Sequence, residues 1–181
     1  TPLGAVAKFA SAGKTMPTKD VALQAIAYAN VYVARVAMGA DPQQTLSAFR
    51  EAEAYDGPSL VIAYSHCIGQ GIVMREGLAQ QYNAVASGHW PLLRYDPMVR
   101  AANGNPFLLD SPRPRLQLSE YRKGELRFRS LSNSDAAEAE RLNDLAQQTV
   151  QQRWQVYEDM ATRSAAEFPS DARKDHNGTG D

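Results

Sequence analysis

The sequence predicts an α/β fold, a partly parallel sheet with flanking helices followed by a helical C-terminal extension, on three observations. First, Val31 to Val36 is a β-branched run of strand length. Second, Asp41-Pro42 begins a helical stretch, because Asp can cap free amides and Pro is pre-organised at the first helical position. Third, Ser59 to Tyr64 is short and almost wholly apolar, the pattern of a strand covered on both faces in a parallel sheet. Strand, helix, strand in that order implies a right-handed crossover.

The remaining elements follow in order. Residues 1–18 mix small residues with Gly4, Gly13, Pro2 and Pro17, and predict loop with short irregular helix. Asp20 reads as the cap of a helix over 20–29. The helix from Pro42 is expected to reach Tyr55, with Leu46, Phe49 and Ala52 on one face, and to stop at Asp56-Gly57-Pro58. A loop, Ser65 to Gly71, precedes a predicted helix over 72–87. Trp90 to Tyr95 and Pro106 to Leu109 read as short strands or extended connections, and Pro112, Pro114 and Leu116 as an extended linker. A helical pattern resumes over 119–131, and Ser134-Asp135 caps a long helix expected to run to Phe168. Its apolar stripe is read as core or partner-facing surface, without chemistry. The predicted division is 1–118, a helical extension at 119–168, and a disordered polar tail at 169–181.

Composition narrows the function. The 181 residues suit one domain of ordinary size. They carry 19 Lys+Arg against 20 Asp+Glu, a balance that argues against electrostatic binding of nucleic acid or a membrane surface. No apolar run reaches the roughly 18 residues of a membrane span. The single cysteine excludes an internal disulfide and any metal site built on several thiolates of this chain. The chain opens on Thr1 without the pattern of a secretory signal, and the expectation is a cut within a longer chain or a processed end.

Several motifs are weak. Ala12-Gly13-Lys14-Thr15 imitates the end of a phosphate-binding loop, but Lys8 stands where the earlier glycine is needed and no strand leads in, so a solvated turn is expected. Gly69-Gln70-Gly71 follows a strand, yet Met74 occupies the third glycine position of a dinucleotide fingerprint. His66 and Cys67 are adjacent on an extended segment and point in opposite directions, so they are not read as base and nucleophile. Cys67 lies three residues beyond a strand's carboxyl end, where ligands bind in open α/β sheets, although a lone cysteine is more often an inert buried thiol. Glu51 and Glu53 read as a solvated helix face, Asn177-Gly178-Thr179 as polar tail, and His89 and His176 have no assignable partner.

Longer blocks carry a resemblance. TPLGAVAKFASAGK, NVYVARVAMGAD, EAEAYDGPSLVIAYSHCIGQG, WPLLRYDP and NPFLLDSPRP, in this order, resemble the C-terminal part of pyruvate:ferredoxin (flavodoxin) oxidoreductase, with the enterobacterial pyruvate-flavodoxin form as the expected nearest match. The resemblance runs from Thr1 to about Phe168. It implies an incomplete thiamine-diphosphate-binding domain at 1–118 of a large, cytoplasmic, homodimeric enzyme. That enzyme oxidatively decarboxylates pyruvate with coenzyme A on thiamine diphosphate and Mg²⁺, passing electrons through [4Fe-4S] clusters to ferredoxin or flavodoxin. The family's GDGWAYDIG-type and YSNTGGQ segments are absent, so the resemblance implies an N-terminal remainder as partner and no activity for residues 1–181 alone. The cysteine of the family's C-I-x-x-G block, here Cys67-Ile68-Gly69-Gln70-Gly71, is implied to be one of four ligands of the [4Fe-4S] cluster closest to the thiamine. Gly69 replaces the expected Ala or Asn and should loosen the loop. Two rivals remain: a non-catalytic α/β interaction module using the long helix, and a thiol enzyme with Cys67 as nucleophile.

Overall fold

The computed structural model describes residues 1–170. Asp20 caps the first helix, α1 (Val21–Ile26), by accepting from the Leu23 amide. α1 stops short of the predicted 29 because Ala29 takes φ 66°, a left-handed conformation that turns the chain into the first strand. That strand, β1 (Tyr32–Val36), is buried at all five positions.

Asp41 caps α2 (Pro42–Ala54), accepting from the Gln44 amide at 2.8 Å, and the chain returns as β2 (Ser59–Ala63), parallel to β1. The predicted face of α2 is corrected. Gln44, Thr45 and Ala48 are buried, whereas Leu46 and Phe49 are exposed. The helix is rotated so that Gln44 Nε2 donates to Asp110 Oδ2 at 2.9 Å and the small Ala48 lies in the cluster with Tyr32, Ala34 and Val36. β2 is also corrected: its ends are exposed and its middle is half-buried, because it pairs only with β1 and forms one edge of the sheet.

After β2 come two single 3-10 turns, Ile68–Gln70 and Met74–Glu76, and then α3 (Gly77–Ala86). α3 starts five residues later than the expected 72 because these turns occupy the intervening chain. β3 (Leu93–Tyr95) and β4 (Phe107–Leu109) are antiparallel additions, giving the order β2-β1-β3-β4. Between them lies α4 (Pro97–Ala101), not foreseen, although Asp96-Pro97 repeats the Asp-Pro start that marked α2 and Asp96 accepts from the Met98 amide at 2.8 Å.

The predicted helix over 119–131 is two helices, α5 (Leu118–Lys123) and α6 (Leu126–Ser134), separated at Gly124. Asp135 caps α7 (Ala136–Ala161), accepting from the Glu138 amide at 3.0 Å. α7 ends seven residues before Phe168; Ser164 is extended and starts a separate turn in which Glu167 accepts from its amide and hydroxyl, both at 2.8 Å. One core gathers Leu3, Ala5, Ala84, Leu118, Tyr121, Phe128, Leu131, Leu142 and Ala146, and a second packs Val33, Leu93, Tyr95 and Phe107 against Tyr157, Met160 and Phe168. The N-terminal turns and the sheet therefore both lean on the C-terminal helices. His176, Asn177-Gly178-Thr179 and most of the expected tail lie outside the described residues.

Candidate functional site

The site is the loop at the carboxyl end of β2. The Tyr64 amide extends the β1–β2 pairing by donating to the Val36 carbonyl at 2.9 Å, after which the chain leaves the sheet. Cys67 is extended (φ −145°, ψ 139°), exposed, and caps the 3-10 turn Ile68–Gln70. Its Sγ accepts from the Gly69 amide at 3.4 Å, while the Gln70 amide turns back to the Cys67 carbonyl at 2.9 Å. Gly71 closes the turn at φ 74°, and a Cβ there would run into the Leu126 side chain. Both the left-handed backbone and the close approach require glycine at that position.

The expectation of an inert buried thiol does not hold, because Cys67 is exposed. Ile68, Val73 and Met74 beside it are exposed as well. His66 goes another way. Its Nδ1 meets Gln81 Nε2 at 2.9 Å, and Gln81 Oε1 accepts from the Gly39 amide at 2.8 Å. That second bond orients the amide with NH₂ toward His66, so Nδ1 is the acceptor and the ring proton sits on Nε2. Gln81 of α3 thus ties His66 to the loop after β1, and His66 makes no hydrogen bond to Cys67.

Cys67 alone of the described residues could serve a metal as a thiolate, and no three His, Cys, Asp or Glu residues among them are grouped to hold an ion. An exposed sulfur on an extended residue, already accepting one backbone N–H, fits one corner of an iron–sulfur cluster, whose sulfurs are tuned by such bonds. It does not fit a whole site. A complete cluster site would need further thiolates from outside the described residues.

The other singled-out motifs are structural. Gly13 and Lys14 form a packed turn: Lys14 exchanges backbone bonds with Gly4 and Ala5, and its ammonium donates to the Thr1 carbonyl at 2.8 Å. Gly69-Gln70-Gly71 does not open a helix, since α3 begins at Gly77. Glu51 is not merely a solvated face: it accepts from the Tyr32 hydroxyl at 2.8 Å and pairs with Arg94. His89, which had no assignable partner, stacks on Tyr121 with ring centroids 4.6 Å apart.

Sequence reasoning missed Glu125, whose side chain is fully buried. Its Oε1 accepts from the hydroxyls of Tyr121 (2.8 Å) and Tyr64 (3.2 Å) and from Gln80 Nε2 (3.1 Å), and Oε2 pairs with Arg127. Desolvation raises the Tyr64 hydroxyl to about 12 and carries Tyr121 well above its ordinary value, so both remain proton donors at neutral pH. No local pattern marks Glu125 as buried, because two of its partners, Tyr64 at β2's end and Gln80 in α3, are distant in sequence.

No protein-family model matches the chain. Individual proteins do. It is 49% identical over 167 residues to a pyruvate-flavodoxin oxidoreductase of Trichormus variabilis, covering 92% of this chain and 14% of that protein. It is 43% identical over 161 residues to a pyruvate:ferredoxin oxidoreductase of Moorella thermoacetica, covering 89% of this chain and 14% of that one. For the pyruvate-flavodoxin oxidoreductase of Klebsiella pneumoniae the identity is 43% over 163 residues, 89% of this chain and 14% of the relative. The expected enterobacterial leaning is thus corrected, since the Trichormus protein matches better. The chain spans about 14% of the length of these relatives, within their C-terminal region. By sequence, this chain is similar to the C-terminal region of pyruvate-flavodoxin and pyruvate:ferredoxin oxidoreductases.

Proposed function

We propose that the chain is part of an enzyme that oxidatively decarboxylates pyruvate to acetyl-CoA and passes electrons through [4Fe-4S] clusters to flavodoxin or ferredoxin. Within it, Cys67 is one of four ligands of one cluster. The observation that carries the reading is the exposed Cys67 sulfur, already accepting a hydrogen bond from the Gly69 amide, just beyond the carboxyl end of an open edge strand. Bound, thiamine diphosphate with Mg²⁺ would supply the decarboxylation chemistry and the cluster a one-electron exit.

The chain's own residues have a narrower task. Cys67 offers one sulfur ligand, and the Gly69 amide directed at it would raise the potential of a cluster held there. Gly71 and the His66–Gln81 hydrogen bond hold the loop at its two sides. β2 offers its free edge to further strands of the longer protein, the N-terminal remainder of a homodimeric, cytoplasmic enzyme. In this reading residues 1–118 belong to the thiamine-diphosphate-binding domain and 119–168 form its helical extension.

The test is pyruvate- and coenzyme A-dependent reduction of flavodoxin or ferredoxin by the full-length enzyme. Cys67→Ala is expected to abolish electron delivery; an unaltered rate would remove Cys67 from the path. The 181 residues alone are expected to give no heat when titrated with thiamine diphosphate and Mg²⁺, and a micromolar isotherm would contradict the reading.

A further inference from the structure

The turn joining α5 to α6 touches the Cys67 segment at three places. Glu125 Oε1 accepts from Tyr64, the last residue before the loop departs, and from Gln80 in α3, where the loop has ended. Between them, Leu126 lies directly against Gly71. Gly124 completes the contact, since a Cβ there would collide with the Gln80 amide. One short turn thus fastens the segment before, within and after the 3-10 turn that Cys67 caps.

The chemistry of the fastening is also unusual. A carboxylate with no solvent exposure is costly unless its lone pairs are filled, and here Tyr121, Tyr64, Gln80 and Arg127 fill them. Apolar side chains of similar volume would close the same gap without that cost. What they would lack is direction: each of the donors must occupy one position to reach the carboxylate. A metal-ligating side chain needs such support, because its geometry must be held to within roughly 0.5 Å.

We infer that Gly124–Leu126 is the positioning element of the Cys67 loop, and that Glu125 is its positioning residue. This rests on the reading of Cys67 as a cluster ligand. The helical extension is then not an appendage but the support of the site.

The test uses the 181-residue chain and hydrogen exchange at the Gln70 and Gly71 amides, which close the 3-10 turn. Tyr64→Phe deletes one hydroxyl and keeps the ring; Glu125→Gln keeps the shape and removes the charge paired with Arg127. Tyr32→Phe is the control, since it removes the bond to Glu51 at the opposite end of the β1–β2 pair. Tyr64→Phe is expected to speed exchange at Gln70 and Gly71 about fivefold, and Glu125→Gln about tenfold or more. The control is expected to stay within about twofold. A nitroxide on the sole cysteine gives a second readout, its spectrum sharpening in the two variants alone. Equal acceleration by Tyr32→Phe, or rates within twofold of the parent in both test variants, would overturn the inference. Iron retention by Cys67→Ala in the full-length enzyme would instead refute the ligand reading and leave the exchange result standing.

Discussion

The two edges of the sheet are finished differently. At the β4 edge, α7 closes the structure: Tyr157 stacks on Phe107 with centroids 6.1 Å apart, and Asn105 Nδ2 donates to the Met160 carbonyl at 3.0 Å. Behind this contact Arg35 of β1 donates to Tyr157 at 2.9 Å and to Asp20 at 2.5 Å, so α1, β1 and α7 share one buried charge network. At the β2 edge no described element adds a further strand. A free edge is something soluble proteins ordinarily blunt or cover. The difference is the one expected under the proposed function, in which further strands of a longer protein would pair with the β2 side.

The largest expected effect lies on the closed side. Asp20→Ala removes both the α1 cap and the counter-charge of Arg35, which is 5% exposed. Breaking a buried pair from one side should cost about 3–5 kcal/mol, read from urea denaturation. A loss under about 1 kcal/mol would mean that this side is no tighter than the other.

Acid should act through His89 and Asp20. His89 is pushed down to about 3, first by burial and then by repulsion from Arg122, Arg127, Arg153 and Arg35. The folded chain therefore keeps it neutral while the unfolded chain takes a proton below about 6.5. Stability is expected to be full above that value and to fall toward pH 3 by at most about 1.4 kcal/mol per pH unit. His89→Phe, which keeps a ring against Tyr121, should flatten that slope. For Asp20, burial would raise the carboxyl, but Arg35, Tyr157, the Leu23 amide and Arg153 outweigh it and hold the group below its ordinary value. Its contribution is complete above the unfolded value of about 3.9 and is lost as pH falls through the lower folded one. Asp20→Asn should remove that final acid loss.

On the open side the effects should appear in association rather than stability. Ala63→Lys places a charge at the exposed end of β2 and is expected to reduce light scattering at high concentration. Phe49→Ser, on the exposed face of α2, should change unfolding stability by less than about 0.5 kcal/mol. A larger loss would show that Phe49 packs as the helical spacing first suggested.

That face shows where sequence reading stops. Asp20, Asp41 and Asp135 announce helix starts locally, and each caps its helix in the structure. The β1–α2–β2 unit and the placement of Cys67 just past a strand were equally legible, because strand runs and caps are local signals. The rotation of α2 was not, since it depends on Gln44 reaching Asp110, 66 residues away. The same holds for Glu125, whose partner Tyr64 is 61 residues distant. β2 read as an inner strand from its apolar run, and the structure leaves it at an edge. The two observations agree under the proposed function, in which covering strands would belong to a longer protein.

The most direct test of the central claim is the iron and acid-labile sulfide content of the full-length enzyme with and without Cys67→Ala, purified without oxygen. The account expects the variant to lose one cluster, four irons and four sulfides per chain, with the remaining clusters intact. An unchanged count would show that Cys67 holds no iron.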